Sequence, residues 1–390
     1  MRYRELGKTG ILVSEIGLGA EWLERRNAQE IKAVIDICEK KGINILDCWM
    51  AEPNVRTNLG AALAGRREKW IIQGHFGSTW QNGQYVRTRD MNKVKPAFED
   101  LLIRMQTDYI DLGMIHFVDS EEEFDRIMEG EFIEYVQRMK YEGIVRHIGI
   151  SSHNPLVAKK AALCGEIEVI LFSINPAFDL LPASDDMNRY FAEKYYHESL
   201  GGIAPEREEL YRICEQRKIG ITVMKGYAGG RLFSEKMSPF GVALTPVQCL
   251  HYALTRPAVA SVMVGCDTPQ HVEAAAAYET AIEQEKDYAS VLASAPQHAY
   301  PMGQCTYCGH CAPCPAGIDI AMVNKLYDLA VMQQEVPEGV AAHYKELSKN
   351  ASDCIGCKDC EDRCPFHVTV AERMEKTRRL FEKSNCSSRK

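Results

Sequence analysis

Eight short runs of apolar residues, most of them rich in β-branched side chains and separated by amphipathic stretches, constrain this chain more than any other feature. In order they are SEIGLG (14–19), INILDC (43–48), WIIQGH (70–75), YIDLGMIH (109–116), VRHIGISS (145–152), VILFSIN (169–175), GITVMKG (220–226) and VASVMVGC (259–266). Runs of this length bounded by turn residues read as buried strands. Between them lie segments such as AQEIKAVIDICEKKG, in which Ile31, Val34, Ile35 and Cys38 recur at helical spacing with charges opposite, and MNKVKPAFEDLLIRMQ. Eight strand-plus-helix units within about 300 residues is the count of a (β/α)8 TIM barrel. A doubly wound open sheet is the alternative, but no G-x-G-x-x-G follows the first strand, as a dinucleotide-binding unit requires. Residues 1–298 are therefore expected to form the barrel.

Chemistry in such a barrel sits where strands end and βα loops begin. The polar or thiol residues at those ends are Asp47, His75, His116, Ser151, Ser152, Asn175, Lys225 and Cys266. One polar strand end is usually structural; several on one rim make a site. The connection 177–206, with Tyr190, Tyr195, Tyr196, His197 and Glu198, is too large for a plain βα loop. It is expected to cover the pocket and shape substrate choice, with a solvated loop as the plainer alternative.

Of 15 cysteines, eight fall in two tight runs. The first is Cys305-x2-Cys308-x2-Cys311-x2-Cys314-Pro315, the second Cys354-x2-Cys357-x2-Cys360-x3-Cys364-Pro365. Three cysteines two residues apart wrap three thiolates around one iron–sulfur cube, and the fourth, beside a proline, ligates the other cube in two-cluster ferredoxins. That crossing gives Cys305, Cys308, Cys311 and Cys364 for one [4Fe–4S] cluster, and Cys354, Cys357, Cys360 and Cys314 for a second. Zinc favours two separated C-x2-C pairs, and disulfides need an oxidising compartment. Residues 299–390 thus read as a small ferredoxin-like domain, α-rich because 318–334 and 340–349 have helical patterns between the runs. Cys38, Cys48, Cys164, Cys214, Cys249 and Cys266 are scattered and read as reduced core residues; Cys386, in a polar tail, reads as unliganded.

Net charge is −8, which argues against nucleic acid as a partner. The N-terminal MRYRELGKTG lacks an apolar h-region, and no apolar run approaches the ~20 residues of a membrane helix. A cytoplasmic protein with a small-molecule substrate, and no membrane or nucleic-acid partner, is the expectation.

The segments MRYRELGKTGILVSEIGLG, GINILD, TDYIDLGMIHFVD, GIVRHIGISSHN and VMVGC together resemble the aldo-keto reductase family over nearly all of residues 1–300. The cysteine-rich tail, including CTYCGHCAPCPAGIDI, resembles the iron–sulfur extension of one branch of that family. The resemblance implies carbonyl reduction by hydride from NADPH, NADP(H) or NAD(H) being the expected cofactor, with an Asp-Tyr-Lys-His tetrad in which Tyr donates the proton. Asp47 matches the Asp and His116 the His. Glu52 stands where the Tyr is expected, and His75 where the Lys is expected. The positions that hold the nicotinamide carboxamide read Ser152 and Leu171, the stacking aromatic reads Met224, and the adenine-side pair reads Ala274-Ala275. The loop KGYAGGRL (225–232), with Lys225, Gly229, Gly230 and Arg231, keeps glycines that let backbone N–H groups approach a phosphate; Ser151, Ser152 and Asn175 complete the expected cofactor set.

Three functions follow. The first is an oxidoreductase on a small carbonyl or hydroxyl compound, sugar- or polyol-like, with Asp47, Glu52, His75 and His116 as an altered catalytic set. The second is redox-neutral elimination, hydration or isomerisation by the same groups. The third is a non-catalytic relay or sensor passing electrons to a partner. Clusters move single electrons and nicotinamide moves hydride, so linking them calls for a flavin or a one-electron substrate; no flavin signature stands in the sequence. Anaerobically purified protein is expected to be brown with about eight irons per chain; zinc, or about four irons, would overturn the two-cluster assignment.

Overall fold

The structure, a computed structural model, describes residues 1–179, 181, 183, 204–288, 291, 305, 311–331, 336, 338–364 and 367–387. The chain divides into two compact units. Among the described residues, the first takes 1–80 and 87–291, and the second takes 81–86 and everything from 305 onward.

Each of the eight apolar runs contains one strand: β1 (Ile16–Gly19), β2 (Ile45–Cys48), β3 (Ile71–Phe76), β4 (Ile110–Ile115), β5 (Val145–Ser152), β6 (Val169–Ser173), β7 (Gly220–Met224) and β8 (Val259–Gly265). All pair in parallel with their sequence neighbours, and β8 returns to β1, closing the barrel. The alternative open sheet is thereby excluded. Helices follow where the amphipathic pattern places them, Ala28–Lys40 with an Asn27–Glu30 capping box and Met91–Arg104 among them. Their apolar stripes and the outward strand residues make the outer core.

Alternation along the strands turns the other side chains inward. Ile45, Leu112, Met114, Val169, Leu171 and Met263 fill the interior together with Leu6 and Val13, which come from the N-terminal hairpin Tyr3–Glu5/Leu12–Ser14. The interior beneath the polar strand ends is largely apolar, with buried Gln73 and Thr222 as polar members. Tight helix contact outside needs Gly60, where a Cβ would lie 2.1 Å from the Arg104 carbonyl oxygen.

A buried ion pair ties β6 to the helix Pro205–Arg217. The Arg207 guanidinium donates to Asp179 Oδ1 at 3.2 Å and to the Ser173 carbonyl at 3.0 Å. Tyr211 and Tyr252 donate their hydroxyls to the two Asp179 oxygens. Burial pushes the Asp179 carboxyl up against the opposing pull of Arg207 and the two hydroxyls. Most of the connection expected to cover the pocket, including Tyr190, Tyr195, Tyr196, His197 and Glu198, lies outside the described residues.

In the second unit the helix Ile320–Val331 falls within the first patterned stretch, and Glu338–Glu346 starts two residues before the second and overlaps it. Val370–Ser387 is one helix, so the backbone at Cys386 is helical. Val323, Leu326, Met374 and Phe381 are buried, and Tyr344 stacks on Phe381 with centroids 3.9 Å apart. No helix among the described residues is long and apolar enough to cross a membrane.

Replacing Arg207 by Met leaves the Asp179 carboxylate buried without its cation, a loss of about 3–5 kcal/mol. Urea unfolding of the Arg207→Met variant measures it, and a change below about 1 kcal/mol would contradict the pairing.

Candidate active site and iron–sulfur region

Asp47 ends β2, His75 lies near the end of β3, and His116 follows β4 directly. Neighbouring parallel strands carry them, in register, to one rim. The result is a continuous hydrogen-bonded line. His75 Nε2 lies 2.9 Å from Asp47 Oδ1, and His75 Nδ1 lies 2.9 Å from His116 Nδ1. All three side chains are buried.

Two residues that the sequence reading passed over complete the line below the rim. Gln73 Nε2 donates to Asp47 Oδ1 at 2.8 Å, and the Thr222 hydroxyl donates to Gln73 Oε1 at 2.8 Å. Gln73 is two residues from His75 on one strand, so the period of two already placed it on the same face. With the Gln73 carbonyl oxygen held by Thr222, its amide must face Asp47.

These partners limit where the protons can sit. Asp47 Oδ1 accepts, so His75 donates from Nε2. With His75 Nδ1 as the acceptor of the His75–His116 pair, His116 donates from its own Nδ1 and keeps Nε2 unprotonated. Burial, and after it the surrounding His75, Arg89, Arg87 and His153, hold the His116 imidazolium well below the ordinary histidine range. The Trp49 ring, another residue the sequence reading missed, stacks on His116 with centroids 5.5 Å apart and planes 12° apart.

Glu52 does not join the line. Its Oε2 accepts the Val55 N–H at 2.6 Å, capping the helix Pro53–Leu63, whose first residue is a proline. The part Glu52 plays in this structure is that of an acceptor at the helix start. The Glu-Pro pair was the legible signal.

The expected cofactor residues are committed elsewhere as well. Ser151 Oγ accepts the Phe117 N–H at 2.7 Å, supporting the turn after His116. Ser152 Oγ bonds Asp119 Oδ1 at 3.1 Å and accepts the Asn154 N–H, and Asp119 also grips His153 Nδ1 at 2.9 Å. That bond and burial hold the His153 ring in place, while His153 leads the forces that bring the Asp119 carboxyl down to about 2 against its desolvation. Asn175 donates to the Lys225 carbonyl and accepts from Phe178 N–H. Leu171 and Met224 belong to the apolar interior. In the glycine-rich loop, Lys225, Ala228, Gly229 and Gly230 all have positive φ, and the amides of Ala228 and Gly230 bond back to Lys225 and Tyr227. Arg231 is buried within it. To hold a nicotinamide carboxamide, Ser152 and Asn175 would each exchange a present hydrogen bond, while Leu171 offers none. Cys266 is a buried thiol pushed up to about 12 by desolvation, and the scattered cysteines are buried apart from exposed Cys164.

In the second unit, parts of the two cysteine runs meet. The Arg363 guanidinium, next to Cys364, donates at 2.7 Å to the carbonyls of both Cys311 and Pro313. Burial raises the Cys360 thiol to about 11, and the neighbouring Cys357 and Cys314 act on it too. Gln84 Nε2 donates to the Cys314 carbonyl at 2.6 Å. Cys305, Cys354, Cys357 and Cys364 are at least partly exposed, and Cys308 lies outside the described residues. Among the described residues no three ligating side chains converge as a preformed metal site, so the fit to iron–sulfur clusters rests on the thiol donor set and its interleaving.

A family model described as the aldo/keto reductase family matches residues 15–243, and one described as a 4Fe-4S dicluster domain matches residues 304–369. The chain is 32% identical over 186 residues to the uncharacterized oxidoreductase YqkF of Bacillus subtilis, covering 47% of this chain and 58% of that one. Against the aldo-keto reductase YhdN of the same organism it is 28% identical, over 39% of this chain and 47% of that one. These matches span about half the length of the curated relatives. The holo form of aldo-keto reductase AKR11C1 from Bacillus halodurans superposes with a TM-score of 0.58 at 24% identity, covering 77% of this chain and 98% of that one; it is similar in fold.

Because His116 resists protonation when folded, the unfolded chain takes up a proton that the native chain refuses. Stability is therefore expected to fall as pH drops below about 6.5, and to be free of this loss above it. Urea unfolding at about pH 7.5 and about pH 5.5 should show a smaller difference in His116→Asn than in the parent; an equal difference would contradict the assignment.

Proposed function

Since the chain belongs to the aldo/keto reductase family, we propose that it is an iron–sulfur-containing oxidoreductase acting on a small carbonyl or hydroxyl compound, sugar- or polyol-like. The observation that carries this reading is the unbroken line Asp47–His75–His116 at the barrel rim. Interconverting a carbonyl and an alcohol moves a hydride equivalent and a proton, and the line deals with the proton. His116 Nε2 takes the hydroxyl proton in the oxidising direction and returns it in the reducing one. As His116 becomes cationic, its Nδ1–H bond to His75 strengthens, and Asp47 stabilises that charge through His75 Nε2–H. The general logic is that of a base oriented by a second group and that group by a carboxylate. Thr222 and Gln73 keep Asp47 aimed.

Bound nicotinamide would supply hydride and the clusters single electrons. Cys305, Cys308, Cys311 and Cys364 would hold one cluster and Cys354, Cys357, Cys360 and Cys314 the other. The carboxamide seat is the weak point of the nicotinamide reading, since Ser152 and Asn175 are bonded to their own surroundings. That observation favours a second reading, redox-neutral acid–base chemistry by the same line.

One set of assays separates the two. Small aldehydes, ketones and hydroxy compounds are offered with NADPH, with NADH, or with a reduced viologen as one-electron donor. Turnover dependent on a donor supports the oxidoreductase; deuterium entering a substrate C–H position from solvent without any donor supports the redox-neutral reading. In either case Asp47→Asn and His116→Ala should each lower turnover by about 10²–10⁴-fold, while Glu52→Gln should leave it nearly unchanged. Full activity in Asp47→Asn would remove the line from the mechanism.

A further inference from the structure

Among the described residues, a buried amide interrupts the apolar face of the helix Ile320–Val331, which lies between the two cysteine runs in the sequence. Asn324 is 1% exposed, and Ile320, Val323 and Leu326 around it are buried too. An amide in such a place is unfavourable for the helix and costs desolvation unless its atoms find partners. Both do. Asn324 Nδ2 lies 3.4 Å from Cys305 Sγ, and Arg373 Nε donates to Asn324 Oδ1 at 2.9 Å.

The second bond settles the orientation of the amide. A guanidinium has hydrogens to give and no acceptor, so the oxygen of Asn324 must face Arg373 and the NH2 must face the sulfur. Arg373 is itself fixed. It reaches the Asn324 main-chain carbonyl with Nη2 at 3.5 Å and lies over the Tyr327 ring, 4.9 Å from its centroid. The residues are 19 and 49 positions from Asn324 in sequence, so the helix Val370–Ser387 holds a donor of another helix onto a cysteine of the first run.

We propose that Asn324, aimed by Arg373, tunes the reduction potential of the cluster held through Cys305. This rests on the reading of the cysteine runs as cluster ligands. Reduction adds an electron whose charge spreads onto the thiolate sulfurs, so an N–H donor at Cys305 Sγ stabilises the reduced cluster more than the oxidised one. Hydrogen bonds to the sulfurs are among the factors that set such potentials. Asn324 is thus a positioning and tuning residue, and neither Sγ ligation nor proton transfer is asked of it. The other cluster, on Cys354, Cys357, Cys360 and Cys314, should be indifferent to it.

The test is anaerobic redox titration of the full-length holoprotein followed by electron paramagnetic resonance, with iron counted for every sample. Asn324→Leu removes the donor at similar volume. It should keep the iron content and move one of two midpoints to more negative potential, by up to about tenfold in the reduction equilibrium, about 59 mV for one electron. Arg373→Gln keeps the donor and loosens its aim, and should move the same midpoint in the same direction by less. Unchanged midpoints in an iron-replete Asn324→Leu variant would overturn the proposal. Should that variant fail to load iron, unchanged midpoints in Arg373→Gln overturn it instead. Parent protein without iron would count against the cluster reading itself, a separate outcome.

Discussion

A carboxylate inside a barrel has to be answered by donors, and Asp47 makes the whole rim answer it. Its Oδ1 accepts from both Gln73 and His75. Each of those donors then has a second polar atom that must also be satisfied in a dry interior, at a cost of about 1–3 kcal/mol if it is not. Gln73 finds Thr222 across the barrel, and His75 finds His116. One buried carboxylate thereby fixes rotamers on β3, on β7 and just past the end of β4. The apolar interior formed by Leu112, Met114, Leu171 and their neighbours keeps water from competing for those bonds.

The same demand for satisfaction governs the residues expected to hold nicotinamide. Ser152 and Asn175 occupy the right strand ends, yet each is used to join one loop to the next. Asp119, gripped by Ser152 and His153, locks the loops after β4 and β5 against each other. A hydroxyl or amide so employed can turn to a ligand only by giving up a bond. His75, in the place of the expected lysine, brings a different property: two ring nitrogens that transmit a proton preference from Asp47 to His116, where an ammonium would end the line.

In the C-terminal unit the physical problem is different. A few short helices offer a modest apolar core, so cross-links between distant segments matter more there than in the barrel. Arg363 and Arg373 supply two of them, one binding the backbone of the first cysteine run and the other steering Asn324. Small metal-binding units commonly draw folding energy from the metal as well, and eight thiols in such a short segment are consistent with that economy.

The alternation of eight apolar runs with amphipathic stretches sufficed for the barrel, because strand and helix periods are local properties and closure leaves little topological choice. Spacing alone also gave the cysteine runs, since ligation of one cube is a local demand on the chain. Asp47, His75 and His116 were legible as strand-end residues, but not their mutual contact, which depends on the register of β2, β3 and β4. The capping of the helix at Val55 by Glu52 was not visible from its position in a family pattern, because it depends on where the local helix starts. The three-body contact of Cys305, Asn324 and Arg373 lay beyond any reading of spacing: helix packing brings together residues that are far apart in the chain. Sequence by itself determined the elements and the donor sets; tertiary packing decided which buried polar atoms satisfy one another, because that choice is made by proximity in space and by the cost of leaving any of them unpaired.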